Sequence, residues 1–215
     1  MLASYTFNTT YTPSSETWQH FPSLRLLEGG RFSPDQYGPV LVWEYQQIRL
    51  KYYRWGMVSA WNKRGEENKG KKFAPIEQVF SHPRFQLPLR RNRCLIPADG
   101  YYIDTKGRNG KETFKASMPE GEGFCFAGIF DAWRQSDGST LYSFAILTQA
   151  SGENDIHLRK PLILPKNVES TWLNPYTNMN KVQKILQLPA RGGLKFQEVH
   201  ELNIQELPSI GQVAA

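Results

Sequence analysis

Val40-Leu41-Val42-Trp43-Glu44-Tyr45-Gln46-Gln47-Ile48-Arg49-Leu50-Lys51-Tyr52-Tyr53-Arg54-Trp55 is the stretch that says most about the fold. An apolar run, a polar connection and an alternating run follow one another, the pattern of a β-hairpin. Side chains alternate along a strand, so Ile48, Leu50 and Tyr52 are expected on one face and Arg49, Lys51 and Tyr53 on the other.

The same grammar recurs downstream. Residues 93–97, Arg-Cys-Leu-Ile-Pro, form a short run that a Pro-Ala-Asp-Gly turn closes. Residues 101–104 and 112–116 flank Asn109-Gly110, a strong hairpin signal. Residues 124–130 and 141–148 flank Asp137-Gly138, and in the second of these runs Tyr142, Phe144 and Ile146 alternate with smaller residues. Helices are fewer. Met179, Val182, Ile185 and Leu186 make a helical stripe over 179–188 that Pro189 ends, and 168–173 and 76–80 are shorter candidates. Many short strands with few helices predict an α+β fold, mainly antiparallel and barrel-like or sandwich-like, with peripheral helices. No break in composition divides residues 1–215, so one domain is expected.

A chain of 215 residues buries roughly 70% of its unfolded surface and needs no staple. The two cysteines, Cys94 and Cys125, build neither a disulfide scaffold nor a four-cysteine zinc site. Residues 1–6 lack the basic start and apolar run of a signal peptide, and no run reaches the ~18 apolar residues of a membrane span. A cytoplasmic, monomeric protein with no metal, cofactor or membrane partner is expected. The 26 Lys and Arg against 20 Asp and Glu give a net charge of +6. That balance suits a polyanionic partner without requiring one.

Three features could carry chemistry. Residues 63–72, Lys-Arg-Gly-Glu-Glu-Asn-Lys-Gly-Lys-Lys, read as a solvated loop or as a phosphate-contacting one. The second reading has Trp55 and Trp61 close by, because single-stranded nucleic acid stacks its bases on aromatic rings while cations meet its phosphates. Buried tryptophan, held by packing alone, is the competing reading for both rings. Arg90-Arg91-Asn92-Arg93 is either a solvated turn before a strand or part of the same positive surface. His157, before the apolar run 162–164, reads as a hydrogen-bonded structural residue or as an acid/base. The four histidines show no metal-ligand spacing, and no nucleophile elbow, P-loop or dinucleotide fingerprint occurs.

Taken together, several segments resemble one family. Residues 55–61 (Trp-Gly-Met-Val-Ser-Ala-Trp) are similar to the W-G-x-x-P-x-W segment of the SOS-response-associated peptidase (SRAP) family. Residues 90–102 resemble its R-R-R-R-C-L-V-P-A-D-G-F-Y-E-W block. Residues 127–133, Thr148 and 155–164 follow in the family's order, so the resemblance runs from Met1 to about Trp172. It implies a barrel-like core beside a positive groove for single-stranded DNA. It also implies capture of abasic sites by an N-terminal cysteine, whose amine and thiol close a ring on the sugar aldehyde. An Asn, a Glu and a His assist.

This chain departs from that pattern where the chemistry would lie. The cysteine position is Leu2, whose bulk is expected to keep Met1 in place. The N-A-R-x-E-T motif reads Phe73-Ala74-Pro75-Ile76-Glu77-Gln78, so Phe73 replaces the Asn and Pro75 the Arg. The Glu position is Ile103, with Asp104 next door on the opposite face, and the Arg near the start is Ser4. His157, Arg159 and Thr148 remain. The expectation is a catalytically degenerate SRAP-like protein, linked to the abasic-site response, that binds single-stranded DNA weakly and without a covalent bond. Trp55 and Trp61 would stack or wedge, Arg90, Arg91, Arg159, Lys71 and Lys72 would meet phosphates, and Thr148 would join them in binding the nucleic acid. The alternatives are an amine-based abasic-site lyase or peptidase using Met1 and His157, and a scaffold for a small apolar molecule or a protein, seated at Phe73 and Ile103.

Overall fold

The computed structural model describes residues 2–7, 29–60, 70–107, 110–150, 159–188 and 192–199. Met1, Trp61 and His157 lie outside the described residues, as do 63–69 of the charged loop. The expected hairpin is formed by β3 (Tyr37–Glu44) and β4 (Gln47–Trp55), paired without interruption from Tyr37↔Arg54 to Glu44↔Gln47. β6 (Arg93–Ala98) adds to β3, and β9 (Phe124–Arg134) to β6. β10 (Thr140–Ala150) returns antiparallel along β9 and closes on β4 in parallel, Phe144 opposite Trp55. Five strands therefore form a closed barrel, which leaves no free edge between them.

Register partners share a face, so Val42, Cys94, Gly128 and Ile146 point one way, into the barrel, together with Trp55 and Phe144. The interior is filled. A Cβ on Gly128 would lie 2.3 Å from Ile96 Cδ1 and 2.9 Å from Cys94 Sγ, so glycine is the residue that fits there.

A second sheet has the order β12-β8-β7-β1-β2, built from β12 (Lys195–Glu198), β8 (Gly110–Ser117), β7 (Gly100–Gly107), β1 (Leu2–Phe7) and β2 (Gly30–Phe32). Tyr5 joins it to the barrel. Its ring stacks on Phe32 at 5.1 Å and lies 5.6 Å from Trp55 and 6.0 Å from Phe126. The Tyr5 hydroxyl, fully buried, has no hydrogen-bond partner among the described residues. Burial pushes its pKa well up.

The helices are Pro83–Arg91, Lys166–Leu173 and Met179–Leu186. The last two match the predicted stripes. The helix candidate at 76–80 is corrected: those residues form hydrogen-bonded turns, held at their start by the Ile76 N–H donating to the Thr148 carbonyl. The real helix begins seven residues later. Its signals are a His82 cap, whose Nδ1 accepts from Arg84 N, proline in the first turn, and the buried stripe Phe85, Pro88 and Leu89. Pro88 inside the helix hides that pattern from a sequence reading.

Arg93 ties the two longer-range pieces together. It is buried at 2% exposure. Its guanidinium donates to the carbonyls of Leu89 and Arg90 at one helix end, and of Trp172 and Asn174 at another, at 2.6 to 3.0 Å. The last carbonyls of a helix have no partner of their own, and a cation suits that negative end. The Arg90–Arg93 cluster thus divides: Arg90 and Arg91 are exposed and Arg93 is internal.

The alternation along β4 holds, with burial uneven on each face: Ile48 and Leu50 lean on the core while Tyr52 is 46% exposed, and Tyr53 is buried. The pairing has no bulge here. What changes along β4 is which face the rest of the protein covers.

Candidate nucleic-acid interface

β10 runs on past the barrel, and its end is flanked by two short strands. β5 (Phe73–Pro75) pairs with it in parallel and β11 (Arg159–Pro161) antiparallel, which sets Pro75 and Pro161 on either side of Thr148. Arg159 reaches across this end. Its Nε donates to Thr148 Oγ1 at 3.0 Å, and its Nη2 to the Thr148 carbonyl at 2.9 Å and to Glu77 Oε2 at 2.7 Å. Partial burial raises the Glu77 pKa, but bonds from its own N–H, the Arg159 guanidinium and the Ala150 N–H outweigh it and hold the carboxyl below its ordinary value. The structure thus brings together Thr148 and Arg159, both expected at the site, and adds Glu77, which the sequence reading did not single out. Its signal was position, four residues after Phe73 in the stretch that already drew attention.

Leu2 and Ile103 face one another as register partners of β1 and β7. A register shift between Leu2 and Ser4 turns Leu2 to the side of Ile103 rather than of Tyr102. Both side chains are buried in the main core. Phe73 is partly buried and sets its ring edge-to-face on Trp55 at 5.8 Å. Asp104 points away, as alternation requires, and its carboxylate accepts from Thr113 and pairs with Lys111. Ser4 is buried and accepts a hydrogen bond from Arg31.

Trp55 does not fit a stacking role. The residue is fully buried, its indole Nε1 donates to the Lys72 carbonyl at 3.0 Å, and Tyr5, Phe73 and Phe144 surround its ring. No ring face is open to a base, so packing accounts for it. Lys72 is ion-paired with Asp35, which also holds Arg54, while Lys71 is exposed and bridges Met57 through its backbone. Arg90 and Arg91 sit exposed in the last turn of their helix. The arm leaving Trp55 is clamped to the barrel: Val58 N donates to Ser143 Oγ and Ala60 N to Asp131 Oδ2, at 2.8 and 2.9 Å. Ser143 and Asp131 are cross-strand partners on β10 and β9. Burial raises the Asp131 pKa, against lowering by hydrogen bonds from Ala60, Ala132 and Ser59.

Cys94 and Cys125 are buried and not joined in a disulfide, and burial pushes the Cys94 thiol well up, which leaves it a poor nucleophile. Among the described residues no group of three or more His, Cys, Asp or Glu side chains could hold a metal ion. No helix among them is long and apolar enough to cross a membrane.

The chain is similar to several known proteins. Abasic site processing protein YoaM of Bacillus subtilis is 32% identical over 179 residues, covering 80% of this chain and 77% of the relative. Abasic site processing protein YoqW of the same organism is 34% identical over 178 residues, covering 79% and 77%. A crystal structure of a Bacteroides thetaiotaomicron protein superposes with a TM-score of 0.75 at 19% identity, covering 92% of each chain, which speaks for the fold alone. Residues 19–203 match the SOS response associated peptidase family. With the match spanning most of its length, the chain belongs to the SOS response associated peptidase (SRAP) family.

Proposed function

We propose that this protein binds single-stranded DNA at or beside abasic sites and does so without a covalent bond. One observation carries the reading. At the two positions where the resembling pattern has a thiol and a carboxylate, Leu2 and Ile103 stand opposite one another, apolar and buried. A hydrocarbon side chain supplies neither a nucleophile nor a proton carrier, and an apolar lining disfavours an open-chain sugar and its phosphates. The relatives' names, abasic site processing proteins, supply the substrate class. The net charge of +6 supports a phosphate partner.

The test is a denaturing gel of the protein with abasic-site single-stranded DNA, with and without borohydride, beside salt-dependent anisotropy. The expected result is no shifted band in either lane and an affinity that falls steeply with salt. A band without reductant means a stable adduct and overturns the reading. A band only with borohydride means a Schiff base through an amine, which puts a Met1-based lyase in its place. Affinity that ignores salt removes DNA as the partner.

Arg159 is the phosphate ligand of this reading, with Thr148 beside it, and Glu77 is its competitor. A carboxylate whose folded pKa is lowered keeps its pairing above the ordinary carboxylate range of about 4 and loses it as pH falls through the lowered value. The pair is therefore intact at pH 7. Glu77→Gln removes an anion from beside the phosphate path while keeping a hydrogen-bond acceptor. Single-stranded DNA should bind this variant about twofold to fivefold tighter at pH 7, the range of an exposed ion pair. Anisotropy reads it, and weaker binding would mean that Glu77 positions Arg159 rather than competes for it.

A further inference from the structure

We propose that Arg31 and Lys115, both half-buried on the face of the five-stranded sheet turned away from the barrel, form a phosphate seat that holds a backbone phosphodiester of DNA. The DNA-binding reading supplies the owner of that phosphate, and the seat itself stands on geometry.

The sheet has two faces of opposite character. Tyr5, Phe32 and Tyr101 share the face turned to the barrel, and their rings lie in the core. The register Ser4↔Tyr102, Thr6↔Arg31 and Tyr102↔Lys115 puts Ser4, Thr6, Arg31, Tyr102 and Lys115 together on the other face. Arg31 is held there at two points. Its Nε donates to the Oγ of the buried Ser4 at 2.7 Å, and its guanidinium carbon lies 4.0 Å from the centroid of the Tyr102 ring. Stacking on the ring and one fixed hydrogen bond set the plane of the fork before any ligand arrives. The Nε bond uses one of five donors, and the terminal nitrogens carry the other four.

Lys115 is the cross-strand partner of the same tyrosine, and its stem lies over Gly100, where a Cβ would be 3.2 Å from Lys115 Cε. A larger residue at position 100 would crowd it. Two cations thus flank one ring. Among the described residues neither is ion-paired with a carboxylate, whereas Arg54, Lys72, Lys111, Arg159 and Lys166 all are. A guanidinium fixed in orientation, with no carboxylate partner among the described residues, suits a planar pair of phosphate oxygens. The neighbouring lysine raises the local potential for the same charge. This face lies across the sheet from Leu2 and Ile103, so the seat would hold the strand's backbone and not its abasic sugar.

Two measurements test it. Anisotropy with a single-stranded oligomer lacking terminal phosphates is run as a salt titration on the wild type, Arg31→Ala and Arg31→Lys. Arg31→Ala is expected to bind about tenfold weaker at low salt, with a log–log salt slope shallower by about 0.7, one lost phosphate contact on a single strand. Arg31→Lys keeps the charge and loses the fork. It should keep the slope and bind about threefold weaker. The second measurement follows the Arg31 Nε–H resonance, assigned by its absence in Arg31→Lys, during titration with inorganic phosphate and with the oligomer. A shift with both supports the seat. Wild-type affinity and slope in Arg31→Ala overturn it while the DNA reading survives. A wild type that binds no DNA yet shifts with inorganic phosphate keeps the seat and removes DNA as its ligand. Neither binding nor shift removes both.

Discussion

Arg93→Met should lower the stability of this protein by about 3–5 kcal/mol, the cost of breaking a buried charged network from one side. Methionine keeps most of the stem's volume, so the loss comes from the guanidinium. Four carbonyls, those of Leu89, Arg90, Trp172 and Asn174, would lose a donor at once. A buried acceptor left without a partner costs roughly 1–3 kcal/mol, although four neighbours sharing one relaxation will not add in full. Desolvation lowers the Arg93 pKa to about 10, so the side chain remains charged at neutral pH. Arg93→Lys should recover less than half of the loss, because an ammonium cannot reach two helix ends with the geometry of a planar fork. Arg90→Ala and Arg91→Ala, at exposed positions nearby, should change stability by less than about 0.5 kcal/mol. Urea unfolding followed by circular dichroism measures all four. An Arg93→Met loss below about 1 kcal/mol would show that the helix ends find other donors.

Gly38→Ala should cost about 2–3 kcal/mol, and Tyr5→Phe should remove most of that cost. The added Cβ would lie 2.2 Å from the Tyr5 hydroxyl oxygen but 3.4 Å from the ring carbon that bears it. The clash is therefore with one atom. Overpacking of this kind costs roughly 1–3 kcal/mol where neighbours cannot move, and the Tyr5 ring is held by Phe32, Trp55 and Phe126. Tyr5→Phe alone should stabilise by about 1 kcal/mol, since it deletes a buried hydroxyl that has no partner among the described residues. In the double variant the methyl group meets the ring at ordinary contact distance. A double-mutant cycle should give a coupling of at least about 1.5 kcal/mol. Additive losses would mean that the backbone at Gly38, and not the hydroxyl, sets the cost.

These two sites also mark the limit of what a sequence can say. The hairpins at 37–55, 100–117 and 124–150 were legible, because strand alternation and turn residues act over a few neighbours. So were the helices expected over 168–173 and 179–188 and found at Lys166–Leu173 and Met179–Leu186, the second from its apolar spacing and Pro189. Thr148 and Arg159 were legible as residues kept from a family's pattern, and Leu2 and Ile103 as departures from it; the hydrogen bonds between the first two were not. That Leu2 and Ile103 face one another needed the pairing of β1 with β7 and the register shift within it.

Trp55 and Arg93 went differently. Each sits in a segment that reads equally well as surface, one beside cations and the other inside an arginine run, yet both are buried. The deciding partners are far along the chain: Lys72 is 17 residues from Trp55, and Trp172 is 79 from Arg93. Among the described residues, the sequence by itself determined the hairpin strands and two of the three helices, but not the short strands Leu2–Phe7, Gly30–Phe32, Phe73–Pro75, Arg159–Pro161 and Lys195–Glu198. Barrel closure, with β10 lying parallel to β4, decided that rings such as Trp55 and Phe144 are core. Burial and charge pairing are properties of what covers a residue, and that cover arrives from distant segments whose meeting no local pattern encodes.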